Sequence, residues 1–202
     1  MNIFYYFIIS IILFLPAEEG WQLKKDKEGI KIYTRDVQGS NFKEFKALTT
    51  VIGADIFQVL NVIFDVKNYD RLFPDCSDQK MLKEFSEYHN IQYLIIHTPW
   101  PVSDRDNVSE LQAHFSKDSS GVAVSIKLLP DYIEKKKGLV RLREGKGFWK
   151  LKKLNNNRVE VIYQYHSNPG GSIPSWLANS FVVNHPYKTL QNLKKRVLKN
   201  NQ

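Results

Sequence analysis

A chain of 202 residues with 43% hydrophobic and 25% charged side chains has ordinary globular composition and enough length for one sizeable domain, and it shows no internal repeat at solenoid or propeller spacing. Its one cysteine, Cys76, excludes an internal disulfide and a cysteine-based zinc cage. The net charge of +8 points to an anionic partner (nucleic acid, anionic lipid headgroups or an acidic protein) without choosing among them.

Residues 3–15, IFYYFIISIILFL, are apolar except for Ser10, and Pro16-Ala17 and then Glu18-Glu19 follow. Such a run suits the core of an export signal and falls short of the ~20 residues that span a bilayer. Two features depart from the usual signal: no Lys or Arg precedes the run, and Leu15 stands three residues before the expected cut. Residues 1–17 are read as a signal peptide or an N-terminal anchor, and residues 21–200 as the folded domain. Both readings place that domain outside the cytosol or against a membrane, so the expectation is a periplasmic or secreted protein.

Trp21 to Lys27 reads as a polar lead-in. Gly29 to Arg35 and Phe42 to Val51 alternate polar and apolar residues across the turn Gly39-Ser40-Asn41, which predicts a strand pair. The period then changes: Ile56, Val59, Leu60, Ile63 and Phe64 recur at helical spacing, and Asp55 suits a helix start. After a break at residues 68–74, strands are predicted near 79–86, 91–97, 105–115, 122–129, 138–143, 148–154 and 159–166, separated by turn-rich segments that include 144–147. Successive strands joined by short turns imply an antiparallel sheet. From Ser175 to Lys199, apolar residues fall on one helix face, and Pro186 is expected to kink or interrupt that helix. A strand pair, a helix, a long meander and a final helix give an α+β fold.

Three motifs in order resemble the START family, the StAR-related lipid-transfer module, over Trp21 to Lys199. They are Trp100-Pro-Val-Ser-Asp-Arg-Asp-Asn-Val108; Gly147-Phe-Trp-Lys-Leu151 before Asn157-Arg-Val-Glu-Val-Ile-Tyr163; and Asn168-Pro-Gly-Gly-Ser-Ile-Pro-Ser-Trp-Leu-Ala-Asn179 followed by Pro186, Leu190 and Leu193. The resemblance implies a helix-grip fold, a curved antiparallel sheet wrapped around a long C-terminal helix with an internal apolar cavity. It implies binding or transfer of one lipid or other apolar molecule, without catalysis and without a cofactor. Asn107 stands where the family usually carries an aromatic residue.

The ligand-binding candidates are Arg105, Asn107, Tyr163, Trp176 and Phe181. Arg105 is open to two roles: it could fork a lipid phosphate or carboxylate, or it could be a structural pair or cap. Trp176 and Phe181 suit a cavity wall and a plain core equally. Tyr163 and Tyr165 share one strand face, and a choline-binding aromatic cage would need more rings around one point. His97, His166 and His185 lack metal-ligand spacing, so no metal site is expected. Lys135-Lys136-Lys137 and Lys194, Lys195, Arg196 and Lys199 read either as a solvated face or as cations for transient contact with an anionic membrane. Nucleic acid fits the charge but has no supporting motif, and a monomer is expected. Two other functions stay open: a helix-grip enzyme of cyclase or aromatase type, drawing on Asp106, His97 or Tyr163, and a ligand-responsive sensor.

Overall fold

The computed structural model describes residues 20–171 and 173–199, excluding the side chains of Ser175, Trp176 and Ser180. The segment read as an export signal lies outside the described residues. The elements run β1 (Gln22–Lys27), β2 (Ile30–Arg35), β3 (Glu44–Ile52), α1 (Ile56–Phe64), a 3-10 segment (Val66–Arg71), β4 (Cys76–Ser86), β5 (His89–Ile96), β6 (Arg105–Phe115), β7 (Gly121–Leu128), β8 (Val140–Arg141), β9 (Glu144–Leu154), β10 (Arg158–Asn168) and α2 (Ser175–Lys199).

The strands form one curved sheet in the order β1-β2-β3-β10-β9-β7-β6-β5-β4, with β8 off that path against β6. Pairs along the path are antiparallel, whereas β8 runs parallel to β6, Arg105 opposite Val140 and Asp106 opposite Arg141. The helix-grip expectation holds: α2 and α1 pack on the concave face of the sheet.

Local chemistry explains the helix ends. The Asp55 carboxylate accepts the Gln58 N–H at 2.9 Å, and the Gln58 side-chain oxygen accepts the Asp55 N–H at 2.8 Å. This reciprocal box starts α1 where the charge pattern placed its start. At the other corner Gly170 and Gly171 adopt φ of +61° and +63°, a region costly for any residue with a Cβ, so the chain turns sharply between β10 and α2.

The core lies between the sheet and the helices. Ile32, Ala47, Val124, Leu151 and Val161 from the sheet meet Val59 and Leu60 of α1 and Leu190, Leu193 and Val197 of α2, all buried. Each Val, Leu or Ile among them contributes about 1.5–3 kcal/mol by leaving water. A smaller cluster, Ile91, Tyr93 and Val108, covers the other face of β5 and β6.

Four expectations change. The lead-in is a strand: β1 pairs with β2, but it is mostly exposed and so carried no apolar alternation. The strand expected over 138–143 shrinks to β8, since Val140 and Leu142 donate their N–H groups to the Asp104 and Asp106 carbonyls alongside β6. Residues 144–147, read as a turn, open β9; the glycines there make room for a crossing side chain rather than for a bend. Pro186 does not interrupt α2, which runs through it as one helix with Pro186, Tyr187 and Thr189 buried against the core. Packing of that half holds the helix across the lost hydrogen bond.

Candidate functional site

A pocket of about 220 Å³ opens between the sheet and the first half of α2. Its walls follow from strand periodicity. On β5 the residues Gln92, Leu94 and Ile96 face inward, and on β6 Arg105, Asn107, Ser109 and Leu111 do. Register sets Gln92 opposite Ser109, Leu94 opposite Asn107 and Ile96 opposite Arg105.

The facing wall is aromatic. Trp149 and Tyr163 sit opposite each other on β9 and β10, with ring centroids 3.9 Å apart and planes 3° from parallel. Phe45 meets Tyr163 edge-on at 5.0 Å. Each ring of the stacked pair thus spends one face on the other, a closed stack rather than an open cage for a quaternary ammonium. Burial pushes the Tyr163 hydroxyl well above the usual phenol range, so it is no proton-transfer group near neutrality. Ala178, Phe181, Val182 and His185 of α2 form the roof.

Tyr165 owes its position to two glycines. A Cβ at Gly147 would stand 2.4 Å from the Tyr165 ring, and one at Gly145 would stand 2.8 Å from its hydroxyl. The ring therefore lies across β9, and its hydroxyl reaches toward Leu128 of β7.

Arg105 and Asp106, adjacent in sequence, point to opposite faces of the sheet. Asp106 takes two 2.8 Å hydrogen bonds from Arg141, a pair whose side chains are both 1% exposed. Arg141 also donates to the carbonyls of Pro130, Ile133 and Glu134, so it fastens the 130–134 loop. Arg105 faces the pocket instead. It donates to the carbonyls of Pro169 at 3.3 Å, Gly170 at 3.0 Å and Ser103, which ties the β5–β6 loop to the corner before α2. Burial pulls the pKa of its guanidinium down, opposed by the charge of Asp104. Among the described residues no carboxylate lies within ion-pair distance of it.

Three residues that line the pocket each carry a buried polar atom with no hydrogen-bond partner among the described residues: Gln92 Oε1, Asn107 Oδ1 and the Tyr165 hydroxyl. An unmet buried polar group costs about 1–3 kcal/mol. The remaining titratable groups of the pocket are quiet. Burial, with the negative charges of Asp70 and Asp75, pushes the Cys76 thiol up to about 12, so it is no nucleophile. Burial lowers His185 to about 4, and its Nε2–H donates to the Pro74 carbonyl at 3.1 Å. Lys43 pairs with Asp36 at 2.5 Å.

Outside the pocket, His97 Nδ1 lies 2.7 Å from Asp104 and its Nε2 lies 2.8 Å from Ser77 Oγ, the order of contacts in a hydrolytic relay. The His97 side chain is 49% exposed, so the cluster faces water. Among the described residues no group of three or more His, Cys, Asp or Glu could hold a metal ion.

Of the five candidates, Arg105, Asn107, Tyr163 and Phe181 line the pocket, and the Trp176 side chain lies outside the described residues. Gln92 and His185 also line it and were not singled out as ligand contacts. The basic runs are partly spent inside the fold: Lys136 pairs with Asp78, Arg196 with Asp65, and Lys194 donates to the Glu28 carbonyl.

This arrangement matches known proteins. The family model of the START domain matches residues 13–202. A crystal structure of a STAR-related lipid transfer protein fragment from Xanthomonas axonopodis superposes with a TM-score of 0.82 at 38% identity, covering 89% of this chain and 99% of that one. An uncharacterized Pseudomonas aeruginosa protein is 39% identical over 87% of this chain and 86% of its own length. Mouse phosphatidylcholine transfer protein is 26% identical over 81% of this chain and 78% of its own length. With the family model spanning nearly the whole chain, and a bacterial relative of the same fold at 38% identity, the protein belongs to the START domain family.

Proposed function

We propose that this chain binds one lipid or similar apolar molecule in the pocket beneath the first half of α2 and passes it between membranes, without catalysis. The observation that carries the reading is the pocket itself, aromatic and aliphatic on one side and roof, with Gln92, Asn107 and Ser109 along the other. Burying an acyl chain supplies ~0.8 kcal/mol per methylene, enough to drive uptake before ordering costs. Asn107, Tyr163 and Phe181 are assigned to ligand contact, as is Trp176 on the same helix. Arg105 is assigned two tasks, fastening the corner before α2 and facing an oxygen of the ligand with the N–H groups its three carbonyls leave over.

Membrane contact forms part of this reading. Trp100, 92% exposed, stands in the β5–β6 loop, whose flanking residues Thr98 and Arg105 line the pocket. An indole there suits the headgroup region. Among the described residues no helix is long and apolar enough to cross a membrane. Export through residues 1–17 is part of the proposal, supported by the apolar run at 3–15; intact-mass measurement of the protein from its cell envelope would show the cut after Ala17.

The test is native mass spectrometry of the full chain expressed with lipids present. One co-purifying lipid per chain supports the reading. A chain that stays empty and takes up no labelled phospholipid, sterol or fatty acid contradicts it.

A hydrolase is the second reading, favoured by the Ser77–His97–Asp104 contacts. Their exposure to water and their place outside the pocket set it second. Release of p-nitrophenol from a short p-nitrophenyl ester, abolished by Ser77→Ala, would put it first.

A further inference from the structure

Part of the +8 charge stands on the outer face of the sheet, turned away from the pocket. Strand period puts it there. Val122 and Val124 of β7 enter the core, so Gly121, Ala123, Ser125 and Lys127 face outward. Trp149 and Leu151 of β9 do the same, so Lys146, Phe148, Lys150 and Lys152 face outward beside them. Register sets Lys127 opposite Lys146, Ser125 opposite Phe148 and Ala123 opposite Lys150. On the other flank of β7, Gln112 and His114 of β6 stand opposite Ser125 and Ala123. Small side chains thus floor a trough, with the lysine row of β9 as one wall and Gln112 and His114 as the other. The walls are two strand spacings apart, about 10 Å, and the trough runs ~20 Å along β7.

The four lysines are exposed, and among the described residues no ion pair holds any of them. Two carboxylates border the row. Glu110 is taken by His89 at 2.8 Å, and Glu160, opposite Lys152 on β10, makes no ion pair among the described residues. Lys127 and Lys146 face each other on neighbouring strands, and like charges so placed cost the fold stability. An anionic partner relieves that repulsion.

The lining and the shape choose among anionic partners. Phe148 is the one ring of β9 on this face and is half-buried, so successive nucleic-acid bases find no row of rings to stack on. The face is convex, so a flat bilayer meets only its crest. An extended polypeptide is slim enough for the trough. Alternate side chains of such a segment stand ~7 Å apart, the same spacing as the outward residues of β9. A carboxylate, an apolar residue and two more carboxylates at every second position therefore match Lys146, Phe148, Lys150 and Lys152 in order.

We propose that this trough is a docking site for an extended acidic segment of a partner protein, its carboxylates met by Lys127, Lys146, Lys150 and Lys152 and one apolar side chain resting on Phe148. The site is independent of the pocket and of what the pocket holds. A partner bound there leaves α2 clear, because that helix packs on the concave face.

The probe is the peptide acetyl-Glu-Ser-Leu-Ser-Glu-Ser-Glu-amide, titrated into the full-length chain by calorimetry at low ionic strength. Its control is acetyl-Glu-Glu-Glu-Ser-Leu-Ser-Ser-amide, of the same composition and charge. The patterned peptide is expected to bind about fivefold more tightly, since each exposed ion pair formed at matching spacing adds a small increment. Added salt is expected to weaken it. Lys127→Gln with Lys146→Gln and Lys150→Gln is expected to abolish the preference and to raise the thermal midpoint by removing the opposed charges. Lys24→Gln with Lys67→Gln and Lys188→Gln makes the same change in charge at exposed positions outside the trough and is expected to keep the preference. Equal binding of the two peptides, equal loss in the two variants, or no binding of either peptide overturns the docking site. Tighter binding of polyuridylate or of phosphatidylglycerol vesicles, lost in the first variant alone, also overturns it and makes the partner a nucleic acid or a membrane. The peptide comparison on the wild type decides the matter even if a variant does not fold.

Discussion

The two halves of α2 are one helix with two different undersides. After Pro186 the helix is locked: Leu190, Leu193 and Val197 are 0% exposed, and Asn192 and Arg196 donate to the carbonyls of Leu72 and Asn68. Before Pro186 its residues Phe181, Val182 and Val183 are only partly buried, and the surface below them is the pocket. Polar ties of this half to the rest of the fold include the Lys43 N–H donating to Asn179 at 3.1 Å, Lys25 donating to Asn184 at 3.5 Å, and His185 donating to the Pro74 carbonyl. Packing is thus tighter in the half after Pro186, and under the proposed function the half before it is the one that opens.

Truncating each half separates anchor from lid. Leu193→Ala should cost about 2–5 kcal/mol in urea unfolding, since a fully packed site leaves a cavity. Phe181→Ala should cost about 1 kcal/mol or less while weakening uptake of the neutral fluorophore N-phenyl-1-naphthylamine. Similar losses at both positions would erase the distinction between anchor and lid.

Two buried arginines, Arg105 and Arg141, differ in the same way. Arg141→Leu strands the buried Asp106 carboxylate and should cost about 3–5 kcal/mol. Arg105→Leu frees two carbonyls at the corner but removes a buried charge that has no carboxylate partner among the described residues. Its expected cost is about 1–3 kcal/mol, with easier opening of the first half of α2.

Next comes Gly147→Ala, whose Cβ would stand 2.5 Å from the Gln164 carbonyl and 2.4 Å from the Tyr165 ring. Backbone cannot step aside as a side-chain tip can, so a loss of about 1–3 kcal/mol is expected, with Tyr165 displaced into the pocket.

A pH dependence follows from His185. His185 is held near 4, below its ordinary value of 6.5, so the fold favours the neutral ring. Its contribution is complete above about pH 6.5 and is lost as pH falls toward 4. Thermal midpoints across that window should fall for the wild type and flatten for His185→Phe.

Much of this was legible in the sequence because the burial patterns were one-sided. Ile56, Val59, Leu60 and Ile63 announce α1 by their spacing, and the corner at 168–174 announces itself by Pro and Gly. The opposite directions of Arg105 and Asp106 follow from strand period alone. Other features were hidden for physical reasons. Strand β1 is exposed on both faces and so has no alternation. Strand β5 is apolar on both faces, Ile91 and Tyr93 on one and Leu94 and Ile96 on the other, so parity could not show that Gln92 points inward. Gly145 and Gly147 looked like turn residues because their reason, the Tyr165 ring, sits on another strand. The Ser77–His97–Asp104 cluster draws on β4 and the β5–β6 loop, and no spacing in the chain foretells it.

Hydrogen exchange read by mass spectrometry along α2, with the chain empty and then loaded with 1-dodecanol, tests the division of this helix most directly. The expected result is strong protection over 187–199 in both states, and weak protection over 177–185 that rises several-fold on loading. Equal protection of both halves, unchanged by the probe, would contradict the account of α2 as half anchor and half lid.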